Sequence, residues 1–246
     1  MTRTNIVYSS ADNVCRNISV VIQGPIDERT YEAIDCYQYF GEVIVSNWEG
    51  EDLSMLSKAT GKYKLVQSKY NKNKRYHVQT TLAGAKVASL EYVMKTRSDE
   101  LYPDLSAILD NLNKYPDRSH TTNNGFWKTS PYCYSNHLFV DNKDLVIKAM
   151  ELALQSDKKF EGDENLFGYY LMYARGFELS TDNWKKIFKE NVFITKCSDL
   201  KGHLHSGSTT IERGFSRSSA PYPDGRKETC SGKHDTNLIF HHIDEI

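Results

Sequence analysis

The sequence lacks the glycine-rich loops that most often mark a nucleotide enzyme. Neither G-x-G-x-x-G nor G-x-x-x-x-G-K-[ST] occurs anywhere in the 246 residues. These absences argue against a dinucleotide-dependent dehydrogenase and against a P-loop enzyme, because both use such loops to bring backbone N–H groups close to phosphates.

Long apolar runs, a disulfide framework and an excess of one charge are also missing. No apolar stretch approaches the ~20 residues of a membrane-spanning helix. The five cysteines are scattered and never spaced C-x-x-C, which favours idle thiols in a reducing compartment over a disulfide frame or a zinc knuckle. The 31 Lys and Arg nearly balance 32 Asp and Glu, so no global field attracts nucleic acid or anionic lipid. With a polar amino terminus that lacks a signal-type apolar segment, we expect a cytoplasmic protein with no membrane span and no nucleic-acid partner.

The amino-terminal half alternates strands and helices. Short β-branched runs at 18–22 and 43–46 end at turn signals, and helical periodicity follows over 27–40, 53–59 and 75–90. Continuous apolar strands separated by helices predict a parallel sheet covered on both faces. In the less regular second half the pattern predicts helices over 105–112, 144–154 and 163–174, strands over 137–140 and 191–195, and a polar, turn-rich stretch over 120–131.

The most informative segment closes an apolar strand with a run of charge, Lys95 to Leu101. Alternation along the strand puts Lys95, Arg97 and Asp99 on one face. Three charges are costly to bury, so we expect this face to open onto a cleft at the carboxyl end of the sheet, where α/β folds bind ligands. The alternative is an ion pair of Arg97 with Asp99 or Glu100 that only caps the strand.

Two loops are candidates for holding a nucleotide. The run Gln23-Gly24-Pro25 ends the first strand, where a loop commonly meets a base or ribose; an ordinary turn is the alternative. The basic run 71–75 precedes a helix, whose N–H groups and dipole favour an anion, and Arg75 and Gln79 lie one turn apart. A solvated loop explains that run equally well.

Acidic and histidine side chains recur in the second half. Asp163 and Glu164 open its strongest helix, and either they cap it or one is a general base that takes the proton of a hydroxyl acceptor. His203 and His205 share one face if that segment is extended, and one of them could complete the coordination of a cation; surface histidines are the alternative. After residue 200 the chain is rich in Gly, Ser and basic residues, which predicts either an arm over a diphosphate or a soluble tail.

Four segments, in order, resemble the WavE lipopolysaccharide-synthesis family: VVIQGP at 20–25, VIVSNW at 43–48, the polar run at 71–79 and YVMKTRSD at 92–99. Its members are thought to be GT-A-type glycosyltransferases of bacterial surface polysaccharide. The resemblance implies a GT-A-like α/β fold with a central, mostly parallel sheet flanked by helices. It implies a single domain over 1–246, with a nucleotide-sugar half (1–102), an acceptor-side half (103–200) and a flexible arm (201–246).

The resemblance makes Gln23, Arg75, Lys95, Arg97 and Asp99 candidates for the donor site, and we expect the following roles. Gln23 and the nearby loops would hold the nucleoside, with Trp48 as a wall of its pocket, and Lys95, Arg97 and Arg75 would offset the phosphate charge. Asp99, assisted by Glu100, would hold Mn²⁺ or Mg²⁺ on the diphosphate, with His203 or His205 as a further ligand. The acidic motif is Ser-Asp-Glu rather than Asp-x-Asp.

We therefore expect a metal-dependent glycosyltransferase that moves a sugar from a nucleoside-diphosphate sugar to a glycan hydroxyl. A lipid-linked acceptor would be reached by peripheral contact with the membrane. A second hypothesis is a non-catalytic glycan- or nucleotide-binding protein of the same fold. A third, a sugar nucleotidyltransferase, would release pyrophosphate, and the missing glycine-rich loop argues against it.

Overall fold

The computed structural model of the chain describes residues 12–69, 75–123, 130–160, 162–200 and 204–205. The strands in these residues are β1 Ile18–Gln23, β2 Glu42–Trp48, β3 Lys64–Ser68, β4 Tyr92–Arg97, β5 Glu100–Leu101, β6 Ser119–Thr122, β7 Leu138–Asn142, β8 Val192–Thr195 and β9 Leu204–His205.

The α-helices of the same residues are α1 Asp12–Arg16, α2 Glu28–Cys36, α3 Tyr76–Val87, α4 Ser106–Lys114, α5 Lys143–Gln155, α6 Asp163–Ala174 and α7 Trp184–Asn191. Asp27 caps α2 in a reciprocal pair with Thr30, and the Asn142 side chain caps α5. Within the part of the chain that the structure describes, none of the helices has the length and apolar character needed to cross a bilayer.

Seven strands form one sheet in the order β3-β2-β1-β4-β7-β6-β8. The pairs β3–β2, β2–β1, β1–β4 and β6–β8 are parallel, whereas β7 runs antiparallel to both of its neighbours. A separate two-stranded ribbon pairs β5 with β9. The predicted fold class, an α/β protein with a central, mostly parallel sheet flanked by helices, is confirmed.

Helices cover both faces of the sheet, which is why the central strands are apolar on both sides. On one face, α3, α5 and α6 pack over Val21 and Ile44. On the other, α2 and α4 pack over Val20, Ile22 and Met94. Every residue of β1 is buried.

Several predicted elements were wrong in kind or extent. The predicted helix over 27–40 ends at Cys36, and the one over 53–59 is a single 3₁₀ segment, Ser54–Lys58. Part of the stretch predicted to be turn-rich is the buried strand β6, whose polar side chains have partners inside the protein. Thr121 Oγ1 donates to Leu138 O at 3.0 Å, and His120 Nε2 lies 2.8 Å from Tyr115 O.

Gly84 sets how closely α3 approaches the sheet. A Cβ at this position would lie 2.3 Å from Cγ1 of Val21 and 3.3 Å from Cβ of Ser46. Ser46 also ties the helix to β2, since its Oγ donates to Thr80 O at 2.6 Å. The packing therefore requires a residue without a side chain.

We expect Gly84→Ala to lower the free energy of unfolding by about 1–3 kcal/mol through overpacking. The sign of this change is informative, because helix propensity alone would make alanine about 1 kcal/mol more stable than glycine in a helix interior. Chemical denaturation measures the change. Val87→Ala, at an exposed position of the same helix, is the control and should change stability by no more than about 0.5 kcal/mol. A stabilised Gly84→Ala protein would contradict the close packing.

Candidate functional site

The carboxyl ends of three parallel strands meet at one edge of the sheet. Gln23, the last residue of β1, is in register with Ser46 of β2 and with Arg97, the last residue of β4. The connections that follow are joined to these ends, since Gly24 N donates to Ser46 O (3.1 Å) and Ser98 N donates to Gln23 O (2.9 Å). Residues predicted to contact a donor are thus brought together at this edge.

The turn Gln23-Gly24-Pro25 is fixed from two sides. Gly24 has φ +132°, which L-residues rarely adopt, and a Cβ there would lie 2.5 Å from Oγ of Ser98. On the other side, Ile26 N donates to Glu51 Oε2 at 3.1 Å. The loop after β1 therefore has one defined path between the end of β4 and the segment after β2.

Lys95 is fully buried, so the expectation that its charge faces a cleft is wrong. Val21 of β1 is in register with Lys95, and helices cover this face of the sheet. Its Nζ donates to the backbone oxygen of Asn136. Burial, reinforced by the adjacent Arg97 charge, lowers the pKa of Lys95 to about 7, although Glu100 and other carboxylates act in the opposite direction.

Arg97 holds Asp99 through two parallel hydrogen bonds. Nε donates to Oδ1 and Nη2 donates to Oδ2, both at 2.8 Å. The Arg97 side chain is 15% exposed and that of Asp99 is 9% exposed, so the pair lies at the rim of the site. The ion pair that the sequence left open as an alternative is present, and the bidentate geometry fixes the plane of the guanidinium.

Glu100 lies in a buried network of side chains. His137 Nδ1 hydrogen-bonds to Glu100 Oε1, and the Tyr102 hydroxyl donates to Glu100 Oε2. The network continues to Tyr37, whose hydroxyl accepts from Tyr102 N at 3.0 Å. Burial lowers the pKa of His137, which favours the neutral imidazole, although Glu100 acts in the opposite direction. Both carboxylate oxygens of Glu100 therefore have partners inside the protein.

The predicted metal ligands do not fit a divalent cation in this arrangement. All four carboxylate oxygens of Asp99 and Glu100 hydrogen-bond to protein groups and Glu100 is fully buried, so a cation would have to share these oxygens with Arg97, Tyr102 and His137. No group of three or more His, Cys, Asp or Glu residues with metal-binding geometry occurs among the described residues. His203 lies outside them, and the backbone of His205 pairs in register with Glu100.

The acidic start of α6 faces this edge of the sheet. Asp163 Oδ2 lies 3.5 Å from His77 Nε2, in the first turn of α3, and the Asp163 side chain is 42% exposed. Burial lowers the pKa of both Lys95 and His137, and the charge of Glu164 opposes this shift. Asp163 thus lies beside α3 and is accessible to solvent, whereas the backbone oxygen of Glu164 accepts from Tyr134 N (3.1 Å), in the segment that leads to β7.

Arg75 and Trp48 take part in packing as well as lying near the edge. The Arg75 guanidinium donates to the Ala153 oxygen (3.4 Å) and to the Lys158 oxygen, and it lies 5.4 Å from the centre of the Phe160 ring. Trp48 is fully buried and meets the edge of Tyr76. Their donor-site roles stay predictions. Residues 71–74, the rest of the predicted anion loop, lie outside the described part of the chain.

Sequence reasoning missed two histidines of the site. His137 immediately precedes β7, and His77 lies in the first turn of α3. A signal was present for His77, since it falls two residues after the basic run that was singled out. His137 carried no comparable signal, because its contact with Glu100 joins residues 37 positions apart.

No protein-family model matches the chain, and no curated protein matches it. Among solved structures, the chain is similar to 4-diphosphocytidyl-2C-methyl-D-erythritol synthase from Anaerococcus prevotii, at 16% identity and a TM-score of 0.47, over 79% of this chain and 93% of that one. It is also similar to the bifunctional IspDF from Campylobacter jejuni, at 10% identity and a TM-score of 0.42, over 73% of this chain and 49% of that one. Likenesses of this size carry no argument about what the chain does.

The buried ammonium predicts a pH dependence of stability. The pKa of Lys95 is about 7 in the folded protein against an ordinary 10.5, so between these values the unfolded chain binds the proton and the folded chain does not. Stability contributed by this position therefore rises with pH from 7 to 10.5 and is lowest below pH 7. Lys95→Met does not titrate.

We expect the stability of Lys95→Met relative to the wild type to stay nearly constant below pH 7 and to fall as the pH is raised from 7 to 9, as measured by urea denaturation at each pH. Lys148→Met is the matched control, since the exposed Lys148 also donates to a backbone oxygen, that of Ala174 (2.9 Å), but water solvates its charge. If the difference in unfolding free energy between Lys95→Met and the wild type does not change with pH, the lowered pKa of the buried Lys95 is wrong.

Proposed function

We propose that the protein is a GT-A-like glycosyltransferase, which moves a sugar from a nucleoside-diphosphate sugar to a hydroxyl of a glycan. The observation that carries this proposal is a convergence. The loop after β1 and the basic end of β4 meet at the carboxyl edge of the sheet, where α/β folds bind their ligands, and the acidic start of α6 contacts α3 and the segment before β7.

On the donor side, the proposal assigns the nucleoside to Gln23, Gly24 and Pro25, with Trp48 behind them. The turn at Gly24 supports this assignment, because its hydrogen bond to Ser46 and its close approach to Ser98 hold the loop at the edge where the strands end. The diphosphate would lie toward Arg97, whose side chain is partly exposed at the end of β4. Arg75 would add positive charge near it, whereas Lys95 is buried and does not contact the donor.

On the acceptor side, Asp163 or Glu164 is the proposed base. It takes the proton of the acceptor hydroxyl as that oxygen bonds to the anomeric carbon, and the bond from this carbon to the diphosphate breaks with its electron pair leaving on the nucleoside diphosphate. The solvent-accessible carboxylate and the neighbouring His77 favour Asp163. A retaining reaction would not use a base in this role.

No step of the proposal passes through a metal ion, because Asp99 and Glu100 do not fit one as they are arranged. The surface-polysaccharide acceptor, the lipid-linked acceptor reached by peripheral contact and the cytoplasmic location belong to the same proposal. They rest on the resemblance of the four motifs to the WavE family and on the composition.

A second candidate is a glycan- or nucleotide-binding protein of the same fold without turnover. Protein groups hydrogen-bond to all four carboxylate oxygens of Asp99 and Glu100. This arrangement favours the binding protein, because an acidic motif that orients side chains can be structural and need not take part in catalysis. Product analysis separates the two candidates.

The test is incubation of the purified protein with UDP-, GDP-, CMP- and dTDP-sugars and a hydroxyl acceptor, with detection of the released nucleotide and the new glycoside. A released nucleoside phosphate with a matching glycoside supports the transferase. Binding of a nucleotide sugar without turnover supports the second candidate. Release of pyrophosphate from a nucleoside triphosphate and a sugar phosphate would replace the proposal with nucleotidyl transfer.

For an inverting reaction, we expect Asp163→Asn to lower kcat by about 10²–10⁴-fold with a smaller change in KM, since removal of a general base affects the chemical step. Steady-state kinetics with the accepted donor measures both constants. Asp144→Asn is the matched control, because Asp144 is an exposed acid in the first turn of α5, and it should retain wild-type rates. If neither Asp163→Asn nor Glu164→Gln lowers kcat, the proposed base is wrong.

A further inference from the structure

The acidic motif at the end of β4 is bound to protein groups at every carboxylate oxygen. Asp99 Oδ1 and Oδ2 accept from Arg97 Nε and Nη2 at 2.8 Å each. Glu100 Oε1 contacts His137 and Oε2 accepts from Tyr102. Arg97 and Tyr102 belong to the same short run as the acids, 97–102, whereas His137 comes from a distant segment.

Arg97 is the group on which this acidic pair acts. Asp99 forms two hydrogen bonds with its guanidinium, and Glu100 Oε1 lies 3.7 Å from its Nε. The two hydrogen bonds to Asp99 use two of the five N–H donors of a guanidinium, so holding Asp99 is compatible with binding a phosphate. A guanidinium fixed in its plane is suited to the bidentate geometry of phosphate recognition.

A divalent cation at the same carboxylates would be opposed by several groups at once. It would sit beside the Arg97 guanidinium that already neutralises Asp99, and like charges at this distance repel. The Glu100 side chain is completely buried, whereas that of Asp99 is 9% exposed. Freeing Glu100 would also break its hydrogen bonds with the buried His137 and with the Tyr102 hydroxyl.

We propose that Asp99 and Glu100 are positioning residues that hold Arg97 for the diphosphate of the donor, and that donor binding needs no divalent cation. This inference rests on the proposed function, because it concerns how the same donor site neutralises its ligand. It differs from the metal-bridged donor that the sequence predicts.

Thermal unfolding of the full chain with UDP, GDP, CDP or dTDP, in EDTA and in MnCl₂, tests the inference. We expect at least one nucleotide to raise the Tm in EDTA, and MnCl₂ to change its apparent Kd by no more than about twofold. Arg97→Lys should weaken the same nucleotide by about tenfold or more, since a lysine keeps the charge but loses the fork and its charge-assisted bonds.

Asp99→Asn should weaken the nucleotide as well, because Arg97 loses its orientation. The matched control is Asp141→Asn, which removes a buried ion pair with Arg175. Asp141 is in register with Val93, at the opposite end of β4 from Asp99. The control substitution is expected to lower the Tm without changing nucleotide affinity, so loss of stability and loss of positioning are separated.

Two results would overturn the inference, and they differ. A nucleotide that binds at least about tenfold more tightly with Mn²⁺, an effect lost in Asp99→Asn and kept in Arg97→Lys, would restore the metal site and leave the glycosyltransferase proposal standing. A folded protein that binds none of the nucleotides under either condition would overturn the proposed function together with this inference. If Asp99→Asn does not fold, electron paramagnetic resonance of Mn²⁺ with the wild-type protein and nucleotide decides, since Mn²⁺ bound in excess of what the nucleotide binds without protein would contradict the proposal.

Discussion

The parallel register of β1 with β2 and β4 is the constraint on which the candidate site depends. It puts Gln23 level with Ser46 and Arg97, although these residues are far apart in the sequence. Because parallel strands end at a common edge, the loops that follow them meet there, and Gly24 can lie against Ser98. The α3 and α6 helices then bring their first turns to the same edge, and their residues His77 and Asp163 lie 3.5 Å apart.

A concentration of charge beside an apolar core is stable only when the charges have partners. Arg97 and Asp99 satisfy one another, and the Glu100 carboxylate has partners at both oxygens. Lys95 is less well compensated, since its described hydrogen bond is to a neutral backbone oxygen and its pKa falls. A charge whose burial is not fully offset is typical of a functional site rather than of a core that has evolved for stability alone.

Local patterns predicted the parts of the fold that local chemistry determines. The β-branched runs predicted β1 and β2, whereas strand alternation does not account for the Arg97–Asp99 pair, because β4 ends at Arg97 and Asp99 lies in the turn before β5. The strand β6 was missed because its residues are polar, and their burial depends on distant partners such as Leu138. The contact of Glu100 with His137 was beyond prediction for the same reason, since only the folded sheet joins segments 37 residues apart.

The reversed direction of β7 explains how the second half of the chain reaches this edge. Because β7 is antiparallel to β4, with Leu138 opposite Thr96, its amino end lies beside the carboxyl end of β4. The residues just before β7, Asn136 and His137, therefore reach Lys95 and Glu100. A parallel strand in this position would have brought its own carboxyl end to the site and sent these residues to the opposite edge. One antiparallel strand in the sheet thus joins the segment before β7 to the charged end of β4, which strand patterns from the first half of the chain cannot reveal.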